Sequence, residues 1–510
     1  AIGIAVVYSF DFIMKSLRGY FIDVAGKRSD IILSATIFEK VLGIKMASRP
    51  PSVGAFASSL HDFESFRDFL TSATLTTLVD LPFLFIFLAV IYMLGGEIAF
   101  IPLLVLPLAI IAGVIAQAPL KKTITEVSQF SSQKNALLVE SLTNLDSIKS
   151  TGAESQIQKR WEENVGKIAQ LSLKSRLVST MAVNFTAFLQ QMASVAVVIL
   201  GVYKISDGEL TMGALIACTL LTGRALAPVS QVASLLTRYH QARTSLDTLN
   251  KMMALPVERE PGKKFLHRPT FAGDIEFKNV NFSYPDQPIK ALDNVSFKIN
   301  AGERVGFIGR IGSGKSTIEK LMLGFYEADE GSILIDGTDI RQLDPSDLRR
   351  QIGYVPQDIS LTFGSVKDNI TLGSQFADDE SILQAAEISG VTNFVNRHPA
   401  GFDLQVGERG AALSGGQRQS VAVARSLLLS PPIFIMDEPS NSMDNSTEES
   451  FKQRFSKELN TQTLILVTHR ASLLTLVTRL IVMDGSKIVA DGPKESVLAA
   501  LKQGQIKVTG

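Results

Sequence analysis

The sequence predicts an all-α membrane-spanning region followed by an α/β domain with a largely parallel sheet. Residues 1–250 contain apolar runs close to the roughly 20 residues with which a helix crosses a bilayer. Residues 273–510 instead alternate short β-branched runs with helical stretches and glycine turns, which is typical of a parallel sheet. The charged, proline-bearing residues 251–272 are the predicted linker.

The composition excludes several classes of protein. The 510 residues favour about three domains of roughly 150 residues each. Lys+Arg and Asp+Glu are both 50, so the net charge gives no support for electrostatic steering to nucleic acid. The single cysteine, Cys218, excludes an intramolecular disulfide framework, and we expect it to pack in a core.

Apolar segments of the first region predict five membrane spans. They are residues 1–14, 71–94, 98–117, 177–202 and 212–236. The connections 15–70 and 121–176 are rich in Lys and Arg, whereas the connections 95–97 and 203–211 contain Lys204 as their only basic residue. By the positive-inside rule, the two long connections and the C-terminal half are cytoplasmic.

An odd number of spans places the first residue outside the cell. No charged segment of a signal peptide precedes the first apolar run, so we expect at least one further span upstream. Residues 127–173 have helical apolar spacing and no proline, which predicts that the membrane helices extend into the cytoplasm. Breaks at residues 49–54 and 151–154 predict a short transverse helix at the tip of each hairpin.

Short β-branched runs are the predicted strands of the second region. They are residues 275–284, 295–299, 305–308, 332–335, 352–355, 433–436 and 464–467.

A phosphate-binding loop follows the third of these strands. Residues 309–316 match G-x4-G-K-[ST] between a strand and a helix. In such a loop backbone amides bind phosphate, Lys315 reaches the β- and γ-phosphates, and Ser316 ligates Mg²⁺. The predicted nucleotide-binding residues are Gly309, Gly312, Ser313, Gly314, Lys315, Ser316 and Thr317. The motif alone would equally fit a kinase or a GTPase.

Two acids end the apolar strand at residues 433–436. Asp437 suits Mg²⁺ coordination, and Glu438 is placed to polarise an attacking water. Solvated acids in a strand-end turn are the alternative, which the phosphate-binding loop disfavours.

A third motif, LSGGQ at residues 413–417, lies between the loop and the acidic strand. This order of motifs resembles the ATP-binding cassette (ABC) ATPases, for which LSGGQ is diagnostic. The resemblance implies that LSGGQ binds the ATP held by a second copy, and therefore a homodimer with two composite sites. The residues concerned are Ser414, Gly415, Gly416 and Gln417.

The resemblance implies further catalytic and binding roles. Tyr284 matches the aromatic residue that stacks on adenine, Gln357 the glutamine that senses Mg²⁺ and water, and His469 the histidine at the γ-phosphate. The implied catalytic residues are Glu438, His469 and Gln357. The implied Mg²⁺ residues are Ser316, Gln357 and Asp437.

Two residues are implied in contacts between copies. Asp444 matches the loop that crosses the dimer interface, and Glu408 matches the segment that contacts the partner's cytoplasmic helices. Asn441 departs from the small hydroxyl residue usual at its position.

Nearly the whole chain resembles ABC exporters, with a transmembrane domain of long helices and a P-loop cassette. Residues 80–83, 223–228, 309–312 and 442–445 are similar to bacterial type I secretion ATPases, especially exporters of RTX-type adhesins. The resemblance implies ATP and Mg²⁺ as cofactors, an inner-membrane location and a cytoplasmic cassette. It further implies unfolded polypeptide cargo, a periplasmic adaptor protein and an outer-membrane channel. In that subgroup a further span and a peptidase-like domain precede this region.

Two charged residues lie in or near spans, where a central charge costs about 2.5–3.5 kcal/mol. Asp80 and Arg224 either line a pathway for polypeptide or have local roles. In the second case Asp80 lies near an interface or caps a helix, and Arg224 pairs with a neighbouring residue. The sequence leaves both readings open.

Three functions compete at this stage: a polypeptide exporter, an exporter of small hydrophobic molecules, lipids or peptides, and an ABC ATPase that handles nucleic acid. The membrane spans and the lack of a basic stripe disfavour nucleic acid. The choice between the two exporters rests on resemblance.

Overall fold

The structure of the protein is a computed structural model that describes residues 2–50, 69, 75–374 and 376–504. The chain forms two compact units. The first comprises Ala1–Ile44 and Arg49–Leu255, and the second comprises Lys45–Ser48 and Pro256–Gly510.

Long α-helices build the first unit. The described ones are Ile2–Gly43, Leu75–Gly95, Phe100–Thr143, Leu145–Thr151, Glu154–Ser206 and Met212–Met253. The helices Phe100–Thr143 and Glu154–Ser206 have 44 and 53 residues, far more than a bilayer requires. These lengths agree with the prediction that the membrane helices extend beyond the lipid.

Hydropathy identifies the segments of this unit that can cross a membrane. Among the described residues, the runs Pro82–Thr143 and Glu154–Ser206 are long and apolar enough, and Met212–Ala227 is a shorter apolar helix. These cover most of four predicted spans. The other predicted span, residues 1–14, belongs to the helix Ile2–Gly43, which is not among those runs.

Small residues let these helices approach closely. A Cβ atom on Gly201 would lie 2.2 Å from Cδ1 of Leu215, so a side chain there would require Leu215 to move. Cys218 is fully buried in the same cluster, beside Ile91 and Val197, and its predicted packing role is confirmed.

A short helix lies beside one of the two predicted hairpin tips. The helix Leu145–Thr151 ends at Gly152, whose φ of +64° stops it. It ends at the predicted break, residues 151–154, and it begins after a second break in the helical chain, at Asn144. The other predicted tip, at residues 49–54, falls mostly outside the described residues.

Two sheets form the second unit, where the sequence predicted one. The strands are β1 Ile275–Ser283, β2 Lys290–Ile299, β3 Arg304–Gly309, β4 Glu330–Ile335, β5 Thr338–Asp339, β6 Ile352–Val355, β7 Ile433–Asp437, β8 Thr463–Val467, β9 Arg479–Asp484 and β10 Lys487–Pro493. A six-stranded sheet has the order β10-β9-β3-β8-β7-β6, and a four-stranded antiparallel sheet has the order β2-β1-β4-β5. The predicted runs that became β1, β2 and β4 therefore lie outside the parallel core.

Helices cover these sheets. They are Lys315–Met322, Pro345–Arg350, Val366–Ile370, Asp379–Ser389, Thr392–Val395, Gly415–Leu427, Asn445–Glu458 and Lys494–Lys502. The predicted fold class, a helical membrane domain followed by an α/β domain, is confirmed.

The parallel pairing brings the predicted site residues to one edge. Strand β3 pairs with β8, and β8 pairs with β7, all in the same direction. Their carboxyl ends therefore lie side by side, which is where ligands bind in open α/β sheets.

Candidate ATP-binding site

The loop after β3 has a backbone that only glycine can adopt at two points. Gly309 has φ +155°, and a Cβ atom there would lie 2.1 Å from the Met483 carbonyl oxygen. Gly314 has φ +102°, and its Cβ atom would lie 2.6 Å from the Ala291 carbonyl oxygen. The helix Lys315–Met322 begins directly afterwards, so its free N–H groups face the loop.

Lys315 and Ser316 carry the polar groups of this loop. The Lys315 ammonium group donates to the carbonyl oxygens of Gly309 and Arg310, both at 2.7 Å. Burial lowers the pKa of Lys315, although the charge of Asp437 opposes this shift. Ser316 Oγ donates to Asp437 Oδ2 at 3.0 Å. Hydroxyl and carboxylate oxygens are ligands that Mg²⁺ prefers, so this pair fits that metal.

The two acids at the end of β7 have different surroundings. Burial raises the pKa of Asp437. Glu438 is 7% exposed, and its φ of +49° is an uncommon conformation for a residue with a side chain. Its Oε1 accepts the His469 backbone N–H at 2.7 Å, and its Oε2 accepts the Thr468 hydroxyl at 3.3 Å. These two donors fix the direction of the carboxylate.

A cleft of about 380 Å³ collects the predicted catalytic residues and most of the predicted residues of the phosphate-binding loop, although Gly309 is not in its lining. Its lining includes Tyr284, Gly312, Ser313, Gly314, Lys315, Ser316, Thr317, Gln357, Asp437, Glu438 and His469. The Tyr284 hydroxyl lies 3.1 Å from Thr317 Oγ1, which connects the predicted adenine-stacking residue to the phosphate-binding loop.

The LSGGQ residues do not line this cleft. Ser414 is exposed and is the N-cap of the helix Gly415–Leu427, where it forms a capping box with Gln417. Gly416 packs so closely on the following loop that a Cβ atom would lie 3.0 Å from the Ser442 carbonyl oxygen.

The two predicted interface residues also lie outside the cleft. Asp444 is the N-cap of the helix Asn445–Glu458, and hydrogen bonds from Ser446 and Thr447 hold its pKa well below the usual range. Glu408 is exposed in a 3-10 turn.

Sequence reasoning missed residues that hold the site together. The Gln419 side chain donates to the Glu438 carbonyl oxygen and accepts from the Ser442 N–H, both at 2.7 Å, so it ties the LSGGQ helix to the acidic strand end. Glu448 is 5% exposed and accepts hydrogen bonds from Ser440, Ser472 and Arg470. No motif signals either residue.

Glu448→Gln tests that second network. Burial alone would raise the pKa of Glu448, but its three hydrogen-bond donors outweigh burial and lower it. A lowered pKa contributes stability above the unfolded-state pKa of about 4.3, and this contribution is lost as the pH falls through the folded pKa. We expect the variant to lower the free energy of unfolding by about 1–3 kcal/mol at pH 7. The difference from the parent should shrink below about pH 4.3 in calorimetry.

Glu449→Gln is the matched control, because the Glu449 side chain is 51% exposed. A Glu448→Gln protein as stable as this control at pH 7 would contradict the role of the network.

A helical membrane unit joined to a P-loop cleft defines an ATP-driven membrane transporter, and the comparisons with known proteins agree. Residues 1–229 match the ABC transporter transmembrane region, and residues 292–441 match the ABC transporter family. The chain belongs to the ABC transporter family, binds ATP and is an ATP-hydrolysing transporter of the membrane.

Relatives and solved structures support this assignment. The chain is 34% identical over 499 residues to the leukotoxin translocation ATP-binding protein LktB of Mannheimia haemolytica, which covers 98% of this chain and 70% of that protein. LktB of Bibersteinia trehalosi gives the same identity and coverage. An ATP-bound bacterial Atm1-family ABC exporter is similar in structure, with a TM-score of 0.86 and 25% identity over 97% of this chain and 88% of that one.

Proposed function

We propose that this chain is the inner-membrane ATPase of a type I secretion system that exports a large RTX-type polypeptide. The observation that carries the proposal is the 34% identity to leukotoxin translocation proteins, which extends through the membrane unit and not only the cassette. Two copies would form the transporter, with the cassettes in the cytoplasm. A periplasmic adaptor and an outer-membrane channel would complete the route.

The cleft supports a division of roles in ATP hydrolysis. Lys315 supplies a cation beside the phosphate-binding loop. Ser316 and Asp437 would hold Mg²⁺, which neutralises phosphate charge. Glu438, oriented by the His469 N–H, accepts a hydrogen bond from the attacking water and so directs it. Gln357 and Tyr284 also line the cleft, where they would contact the metal-bound water and the adenine.

Deletion of the gene tests the exported substrate. We expect the deletion strain to lose surface display or secretion of a large repeat protein, and the wild-type gene to restore it. The matched control is the Glu438→Gln gene, which should insert in the membrane and fail to restore export. Normal display together with new drug sensitivity would instead favour an exporter of small hydrophobic molecules.

Arg224→Ala tests the polypeptide pathway. Arg224 is exposed in the helix Met212–Met253. If this charge contacts the cargo, the alanine variant should reduce export while basal ATP hydrolysis in detergent stays within about twofold of the parent. Arg224→Lys keeps the charge and should restore most export. Equal export by Arg224→Ala and the parent would assign the residue a local role. The Asp80 side chain lies outside the described residues.

A further inference from the structure

Glu319 is an acidic side chain buried among apolar side chains of the core. It lies one turn into the helix Lys315–Met322 and is 0% exposed. Its helix neighbours Ile318, Leu321 and Met322 all pack in one hydrophobic core of the second unit. Its Oε2 accepts the Tyr354 hydroxyl at 3.5 Å, and its Oε1 has no hydrogen-bond partner among the described residues.

Folding stability does not explain this glutamate. A buried polar atom without a partner destabilises a protein, and an apolar side chain of similar size would remove that cost. Burial, reinforced by the negative charge of Asp437, raises the pKa of Glu319 well above its usual range; Tyr354, Lys320 and Lys315 oppose this only in part. The carboxyl group of Glu319 therefore keeps its proton to a higher pH than an exposed glutamate does.

The location of Glu319 connects three parts of the ATP site. Its helix carries Ser316 at its first turn. Tyr354 lies on β6, which ends two residues before Gln357. Strand β6 pairs with β7 in parallel, with Tyr354 opposite Ile435, two residues before Asp437. Contact between Glu319 and Tyr354 thus joins the phosphate-binding helix to the strand that leads to Gln357.

We propose that Glu319 is a positioning residue for ATP hydrolysis. Its hydrogen bond to Tyr354 fixes the strand that leads to Gln357 in position relative to Ser316 and Asp437. This inference rests on the roles proposed above for those three residues. Glu319 itself does not touch the nucleotide. The unpartnered oxygen of Glu319 destabilises the fold. The benefit that offsets this cost is the alignment of Ser316, Gln357 and Asp437, the residues that would hold Mg²⁺.

The test compares stability with turnover in the full-length protein in detergent. Glu319→Leu should raise Tm in the absence of nucleotide, because it removes the unpartnered oxygen. The same variant should lower kcat about 10- to 100-fold and raise the Mg²⁺ concentration that gives half-maximal activity, because the site is misaligned. Glu319→Gln keeps the hydrogen-bonding geometry and should recover most of kcat.

Tyr354→Phe is the matched partner variant and should reproduce the loss of kcat. The double variant Glu319→Leu, Tyr354→Phe should be no slower than either single variant, because both remove the same contact. Additive losses, or a Glu319→Leu protein with the parent's kcat and Mg²⁺ dependence, would overturn the proposal. If Glu319→Leu does not fold, the kcat of Tyr354→Phe decides the test. A Tyr354→Phe protein with the parent's kcat would also overturn the proposal.

Glu438→Gln in the same assay separates this inference from the assignment of the site. Turnover by Glu438→Gln would refute the catalytic assignment. The coupling between Glu319 and Tyr354 would still be measured from their own double-variant cycle.

Discussion

Glu438→Gln is expected to reduce steady-state ATP turnover by about 10²- to 10⁴-fold, the usual contribution of a general base. The carboxylate of Glu438 accepts two hydrogen bonds that fix its direction at the end of β7. Glutamine keeps the size of the side chain and loses the charge that polarises water. ATP binding should persist, because Lys315 and the phosphate-binding loop are unchanged. The measurements are phosphate release and equilibrium ATP binding on the purified full-length protein.

Two other variants control this result. Lys315→Ala removes the cation beside the phosphate-binding loop, so it should weaken ATP binding itself. Glu495→Gln changes an exposed glutamate, with 79% of its side chain accessible, and should leave both quantities unchanged. Near-normal hydrolysis by Glu438→Gln would show that another group activates the water.

Mixed dimers of two defective variants are expected to recover ATP-dependent association that neither variant shows as a homodimer. Ser414 lies outside its own chain's cleft and caps a helix whose N-terminus is exposed. If that N-terminus binds the partner's ATP, a Ser414→Arg chain paired with a Lys315→Ala chain has one site with both defects. The other site has neither defect. Hydrolysis and cassette closure should therefore return to about half of the parent level, as for one working site of two.

The two homodimeric variants are the controls, since every site in them carries a defect. Chains with different affinity tags allow the mixed dimer to be purified away from both. If LSGGQ served its own chain's ATP, each chain of the mixed dimer would be defective and no activity would return. A mixed dimer as inactive as the two homodimeric variants would therefore contradict the composite site.

Contiguous motifs are the part of the site that the sequence could predict. Residues 309–316 act through their own backbone, so their spacing suffices to predict a loop between β3 and a helix. The acids at the end of β7 were predicted for a similar reason, because an apolar strand of that length must be buried and must end near its neighbours.

Long-range pairing is the part that the sequence could not predict. The runs that became β1, β2 and β4 have the same β-branched composition as the core strands, yet they form a separate antiparallel sheet. Strands β9 and β10 were not predicted at all. Composition records whether a strand is buried, whereas its partner depends on the path of the whole chain.

The sequence by itself determined the order of the two units, the phosphate-binding loop and the residues after the acidic strand. Only the tertiary structure decided which polar side chains support them. Gln419 and Glu448 meet partners 19 to 24 residues away, and Glu319 is buried although a glutamate in a helix normally faces water. Hydrogen bonds between distant segments have no fixed spacing, because they depend on how close the folded chain brings two groups.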